Sequence, residues 1–148
     1  MPHLKLQKLL YYVEAWHLAI FQQSLIVDKF KAWMHGPVST KVWHEFKDSK
    51  STLMKDISIP AKEARRITAK LTKELKPDQL SLIDDVLSEY GPLTAYQLEG
   101  LTHSETPWVE ARNGIAPAQA STATISKETM RKFYRGRLYG SHAAKQVS

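Results

Sequence analysis

Leu4-Lys5-Leu6-Gln7-Lys8-Leu9-Leu10-Tyr11-Tyr12-Val13-Glu14-Ala15-Trp16-His17-Leu18-Ala19-Ile20-Phe21 is the stretch whose reading decides the fold. Leu6, Leu10, Val13, His17 and Ile20 follow the three-then-four spacing that stacks side chains on one face of an α-helix. Leu9, Tyr12, Trp16 and Ala19 form a second stripe beside it. Only the strip through Gln7, Glu14 and the lysines Lys5 and Lys8 is polar. A helix apolar around most of its circumference has to be surrounded by other elements. The spacing therefore predicts the central helix of the fold.

The next segment, 22–38, holds the only strand signals. Leu25-Ile26-Val27 reads as a brief strand or as an extended piece packed on the first helix. Phe30, Ala32 and Met34 alternate with Lys31, Trp33 and His35, which suits a short extended segment. Gly36-Pro37 reads as a turn, because proline fixes its own φ and pushes the residue before it out of helical geometry. Strand content is expected to be at most a small hairpin within residues 24–35.

Beyond the hairpin every periodic segment is helical. Ser39 or Thr40 caps a second helix through about Lys47, with Val42, Trp43 and Phe46 on its buried side. Residues 49–58 lack any period and read as a loop. Pro60 opens a third helix over 61–75, with Ile67 and Leu71 apolar and Arg65, Arg66, Lys70 and Lys73 outward; Pro77 ends it. Leu80, Ile83, Val86, Leu87 and Tyr90 share a face of a fourth helix that Gly91 stops as a left-handed residue. Thr94 and Gln97 form a capping box for a fifth helix through about Leu101, followed by a polar loop over 102–105. Thr106 caps a sixth, with Pro107 at its first position, that Asn113-Gly114 ends. Residues 115–124 are a loop. Ser126 caps the last helix, with Ile125 and Met130 as its hydrophobic staple and Met130, Phe133 and Tyr134 on its core side. From Arg135 the chain is basic and is expected to be loose at its end.

The fold class is thus mostly α: a compact single-domain helical bundle around a buried N-terminal helix. Its extent is 1–134, with 135–148 as a basic C-terminal tail. At 148 residues the chain suffices for one ordinary core. No apolar run approaches the ~20 residues of a membrane span, and the N-terminus lacks the order of a signal peptide. With no cysteine, disulfides, thiol catalysis and thiolate metal sites are excluded. A cytoplasmic location follows by default.

Charge is sorted along the chain. Residues 61–77 carry six bases against two acids, 78–120 seven acids against Arg112 alone, and 121–148 six bases against Glu128. This is either a bipolar surface for a charged partner or a set of solvated helix faces.

Chemistry is thinly signalled. The histidines lack the spacing of a hydrolytic zinc site. His103-Ser104-Glu105 has the letters of a nucleophile and base, but neighbours in a loop seldom face one another, and bonds to helix-end backbone are the simpler role. His17 reads as a satisfied core histidine. Asp84-Asp85 points outward in two directions. No enzymatic activity, cofactor or metal is expected. Nucleic-acid binding has some basis in Lys62, Arg65, Arg66, Lys70 and Lys73 and in Arg131, Lys132, Arg135 and Arg137, which would attract phosphate without reading sequence. It is not favoured, since the acidic block would repel a duplex.

Three separated stretches resemble one family. These are Leu4 to Tyr12 with Trp16-His17-Leu18; Ala32-Trp33-Met34-His35-Gly36-Pro37-Val38 with Val42 and Phe46; and Tyr90-Gly91-Pro92-Leu93-Thr94, Leu98 and Leu101-Thr102-His103-Ser104-Glu105-Thr106-Pro107-Trp108 with Ala111-Arg112. In order and spacing they are similar to the Panacea antitoxin domain, which includes the SocA antitoxin and phage-associated GepA-like proteins. The resemblance covers residues 4 to about 134. Family members usually carry a helix ahead of the first stretch, which is missing here or supplied otherwise.

The resemblance implies an antitoxin of a two-gene toxin–antitoxin system, often prophage-borne, that binds its cognate toxin protein directly. The paired toxins include alarmone-synthetase-like enzymes and others acting on translation. A homodimer is compatible with this, and a membrane partner is not implied. The shared residues Leu6, Lys8, Leu9, Tyr11, Trp16, Trp33, His35, Gly36, Pro37, His103, Pro107, Trp108 and Arg112 read as core and turn positions. Trp16 and Trp108 are expected in the core. For toxin contact, charge nominates Asp84, Asp85 and Glu89 first, and Arg65, Arg66 and Lys70 as the alternative.

Overall fold

Helix α1 (His3–Phe21) runs through the middle of the molecule, touching the hairpin and four other helices. The computed structural model describes residues 2–46 and 61–147. Around α1 lie β1 (Phe30–Trp33), β2 (Gly36–Ser39), α2 (Thr40–Phe46), α3 (Ala61–Glu74), α4 (Pro77–Tyr90), α5 (Ala95–His103), α6 (Thr106–Arg112) and α7 (Lys127–Val147). Among the described residues the fold is mostly helical with one small antiparallel hairpin. The core joins Leu9, Tyr12 and Ala15 of α1 to Leu82, Leu98, Trp108, Met130 and Tyr134 of the surrounding helices. The expected loop at 49–58 lies outside the described residues, as do the side chains of Phe46, Ile67 and Leu71.

The polar strip of α1 is the first correction. Gln7, Lys8 and Glu14 are completely buried, whereas Ile20 is 42% exposed and Leu6 and Leu10 are half-buried. The reason is that irregular backbone packed on a helix needs hydrogen-bond partners. Gln7 exchanges two bonds with the Ser39 backbone, and Lys8 donates to the Pro37 carbonyl at 2.9 Å. Glu14 accepts from the amides of Leu25 and Ile26 at 2.7 and 3.0 Å. Those bonds hold residues 25 and 26 in bends, so Leu25-Ile26-Val27 is no strand.

The hairpin therefore lies at 30–39, later than expected. β1 and β2 pair from Phe30↔Ser39 to Trp33↔Gly36, with Met34-His35 at the turn. Gly36 is the first residue of β2 rather than the apex, at φ +104°. Pro37, which has no N–H to give a ladder, is tolerated in a strand with one neighbour. The other edge of β1 is met by residues 123–125 through Ala32 N to Ala123 O and Ile125 N to Phe30 O, both 2.8 Å. What read as a plain loop thus ends as a short third rung.

Several helix ends also differ. Pro77 sits in the first turn of α4. Leu82 and Val86 form the buried face of α4, and Leu87 is 44% exposed. Gly91 is right-handed, at φ −58°, and glycine suits it for space: a β-carbon would collide with the Leu87 carbonyl. Thr102 and His103 belong to α5, whose Thr94–Gln97 capping box is formed as expected. Glu105 rather than Thr106 precedes α6, while Asn113 and Gly114 both turn left-handed after it. Ser126 Oγ accepts from Thr129 N at 3.1 Å, and Ile125 and Met130 are buried together. Past Arg135 the chain continues as helix up to Val147. Arg135 donates to the Ala19 carbonyl at 2.7 Å and Arg137 to Glu105 at 2.9 Å, which tie that part of α7 to the body.

Candidate functional site

The three sequence stretches singled out above meet at the hairpin. From α1, Lys8 reaches Pro37, and the space a Gly36 side chain would need is filled by Lys8 and by Thr102 of α5. From α6, Trp108 Nε1 donates to the Trp33 carbonyl at 2.9 Å and Arg112 donates to the Ala32 carbonyl at 2.9 Å. The guanidinium lies 4.7 Å from the Trp108 ring centre and also donates to the carbonyls of Ala116 and Gln119. His103 stacks on Trp108, its ring 3.9 Å from the indole. Leu9, Tyr11 and Pro107 are buried nearby or beneath, Leu6 is half-buried, and Trp33 is half-buried edge-on to Trp43. His35 is the exposed member, with Nδ1 3.2 Å from Glu99.

Burial shifts the charges in this frame. Lys8, fully enclosed, has its pKa pushed down to about 7 because its ammonium is desolvated; nearby Glu99 acts in the opposite sense. His103 is lowered by burial too, against the pull of Glu99. Glu105 is raised by burial, although Tyr12 at 2.6 Å, Tyr134 at 2.8 Å and Arg137 all donate to it. Glu14 takes Ser24 Oγ and Lys127 Nζ besides its two amides. These carboxylates are structural acceptors. The letters His103-Ser104-Glu105 accordingly form no relay: Ser104 Oγ donates to Leu101 O at 2.7 Å, and Glu105 faces the tyrosines. His17 is a satisfied core residue between the Gln23 carbonyl and Gln79. Among the described residues no three metal-ligating side chains are grouped to hold an ion, and no helix is long and apolar enough to cross a membrane.

The outer surface sorts the charged candidates. Asp84, Asp85 and Glu89 are all exposed on α4. None of the three makes an ion pair or side-chain hydrogen bond with a described residue. Glu105, which sequence counted in the same acidic block, is withdrawn into the core. Arg65, Arg66 and Lys70 are exposed on α3, Lys70 lying 4.0 Å from Glu74. Four bases of α7 are engaged: Arg131 and Lys132 with Glu128, Arg135 with Ala19, Arg137 with Glu105. Sequence treated those four as one phosphate-attracting face; two of them instead fasten α7.

Sequence reasoning missed a groove between α1 and α4, of about 330 Å³. Trp16 and Ile20 line it from α1, and Leu82, Asp85, Val86, Glu89 and Tyr90 from α4. Trp16 is half-buried rather than sealed in the core, with Nε1 donating to Tyr90 OH at 2.9 Å. The available signal was Ile20, an apolar residue on the helix flank that an all-round buried α1 would have covered.

The family described as antitoxin SocA-like, Panacea domain, matches this chain over residues 6–109, more than half its length. No curated protein and no solved structure matches it.

Proposed function

The chain belongs to the SocA-like antitoxins with a Panacea domain, and from that premise we propose that it neutralises a cognate toxin protein by binding it directly, α4 making first contact. The family carries an antitoxin role and, with it, a toxin as partner in general terms; it also speaks for a non-enzymatic role. The observation that supports the choice of surface is the set Asp84, Asp85 and Glu89, exposed and without an ion pair among the described residues. Unpaired surface charge steers encounter and penalises mismatched partners more than it adds affinity. Enzymes that act on nucleotides or tRNA, the alarmone-synthetase-like toxins included, need basic substrate entrances. An acidic helix seated at such an entrance blocks it.

The test is association kinetics with the toxin encoded beside this chain, identified by rescue of its lethality. Reversing Asp84 and Asp85 to lysine leaves the melting temperature in place, since exposed charges shift stability by no more than ~0.5 kcal/mol. It slows association about tenfold at low salt. Unchanged rates, with loss on reversing Arg65 and Arg66 to glutamate, reject the α4 surface in favour of α3. Loss from neither rejects charge as the determinant of partner choice.

A further inference from the structure

We propose that the α1–α4 groove is the seat of one amphipathic helix of the toxin, its apolar side on Trp16 and Ile20 and its basic residues against Asp85 and Glu89. This rests on the reading above that a protein partner meets α4, and it specifies what that partner presents.

The walls are two helical ridges. Trp16 and Ile20 stand one turn apart on α1, and Leu82, Val86 and the Asp85–Glu89 pair repeat at the same interval along α4. Side chains three and four residues apart on a third helix match such rows, which is how helices pack into grooves. The floor is apolar and partly exposed: Ile20 is 42% exposed, whereas Leu82 and Val86 are almost covered. At about 330 Å³ the groove is at the lower end of roughly 300–1,000 Å³ for small-molecule sites, which also need several polar groups converging on the ligand. Here the indole N–H of Trp16 is already given to Tyr90 OH. The charged groups on the rim are two carboxylates, which only accept hydrogen bonds.

Charge complementarity therefore selects the occupant. Asp85 and Glu89 are four residues apart, so their carboxylates are spaced as arginines or lysines one helical turn apart would be. A bidentate arginine suits each, and an apolar side chain between them fills the space over Ile20. An acidic segment would meet repulsion along the whole rim.

The experiment uses the full chain and the toxin identified by rescue. Ile20→Glu changes an exposed residue, and its fold is checked by circular dichroism and melting. We expect it to weaken toxin binding by about 30-fold or more, the mark of a hot-spot contact. Asp85→Arg with Glu89→Arg slows association, and Asp84→Arg, outside the groove, changes binding less than either. A photo-crosslinker at Ile20 labels a basic amphipathic helix of the toxin. In the unmodified protein, the Trp16 indole N–H resonance shifts on adding toxin. Binding that survives Ile20→Glu but falls with the α4 reversals overturns the groove and leaves the α4 reading standing. Binding indifferent to every one of these variants overturns both. A crosslink to an acidic or extended segment overturns the occupant, as does an unmoved Trp16 resonance at saturating toxin.

Discussion

Lys8 lies against the one residue of the hairpin without a side chain: its Cε is 2.5 Å from where a β-carbon on Gly36 would stand. Its ammonium nitrogen meanwhile donates to the next carbonyl, that of Pro37. A buried cation has to be hydrogen-bonded, and here the hairpin backbone supplies the acceptor. The close approach is open only to glycine, which also accepts the positive φ of +104°.

Gly36→Ala is accordingly expected to destabilise the protein by about 2–4 kcal/mol, combining left-handed strain with overpacking on Lys8 and Thr102. Urea denaturation measures it. A loss below about 1 kcal/mol would mean that β2 shifts freely away from α1 and is not held by this contact.

The lysine also makes stability depend on pH. Unfolded, Lys8 titrates near 10.5; folded, near 7. Between those values the unfolded chain holds the extra proton, so unfolding becomes harder as pH rises through the window. Below about 7 both states are protonated and this dependence vanishes. The slope is at most about 1.4 kcal/mol per pH unit. Urea midpoints at pH 7 to 9.5 should climb in the parent relative to Lys8→Met. Parallel curves for the two would show Lys8 charged in the fold throughout.

Trp108 bridges two layers, packing on His103 and giving its indole N–H to Trp33. Trp108→Ala should cost about 3–5 kcal/mol through the cavity it leaves. Trp108→Phe keeps an aromatic ring but removes the donor to the Trp33 carbonyl, for about 1–3 kcal/mol. Thermal melts order the three proteins. Equal losses would assign the whole effect to the indole N–H. Stability and expression should fall before toxin choice changes.

Glu14→Ala removes the acceptor of the Leu25 and Ile26 amides and the partner of Lys127. Breaking a buried ion pair from one side costs about 3–5 kcal/mol. Hydrogen exchange at residues 25 and 26 should accelerate far more than in the middle of α1. Uniform protection across both regions in the variant would count against Glu14 as the anchor of that bend.

Local rules were enough to find every helix among the described residues, though not every helix end. The three-and-four spacing of α1, the Thr94–Gln97 box, the Ser126 cap with its Ile125–Met130 staple and the Asn113-Gly114 stop all depend on residues within two turns of each other. The charge of α4 was equally legible, because exposed carboxylates on a helix follow from composition. Tertiary structure alone decided which polar residues go inside. Gln7, Lys8, Glu14 and Glu105 look like surface letters, and each is buried because a backbone or tyrosine group far along the chain needs a partner there. The hairpin register was set in the same way, since Gly36 is read as a turn until Lys8 is known to fill the space beside it. The groove is the last such case: Ile20 and Glu89 are 69 positions apart, and only packing of α1 on α4 brings them to the two sides of one depression. Periodicity is a property of neighbours, whereas burial of a polar group or exposure of an apolar one depends on what the fold brings next to it.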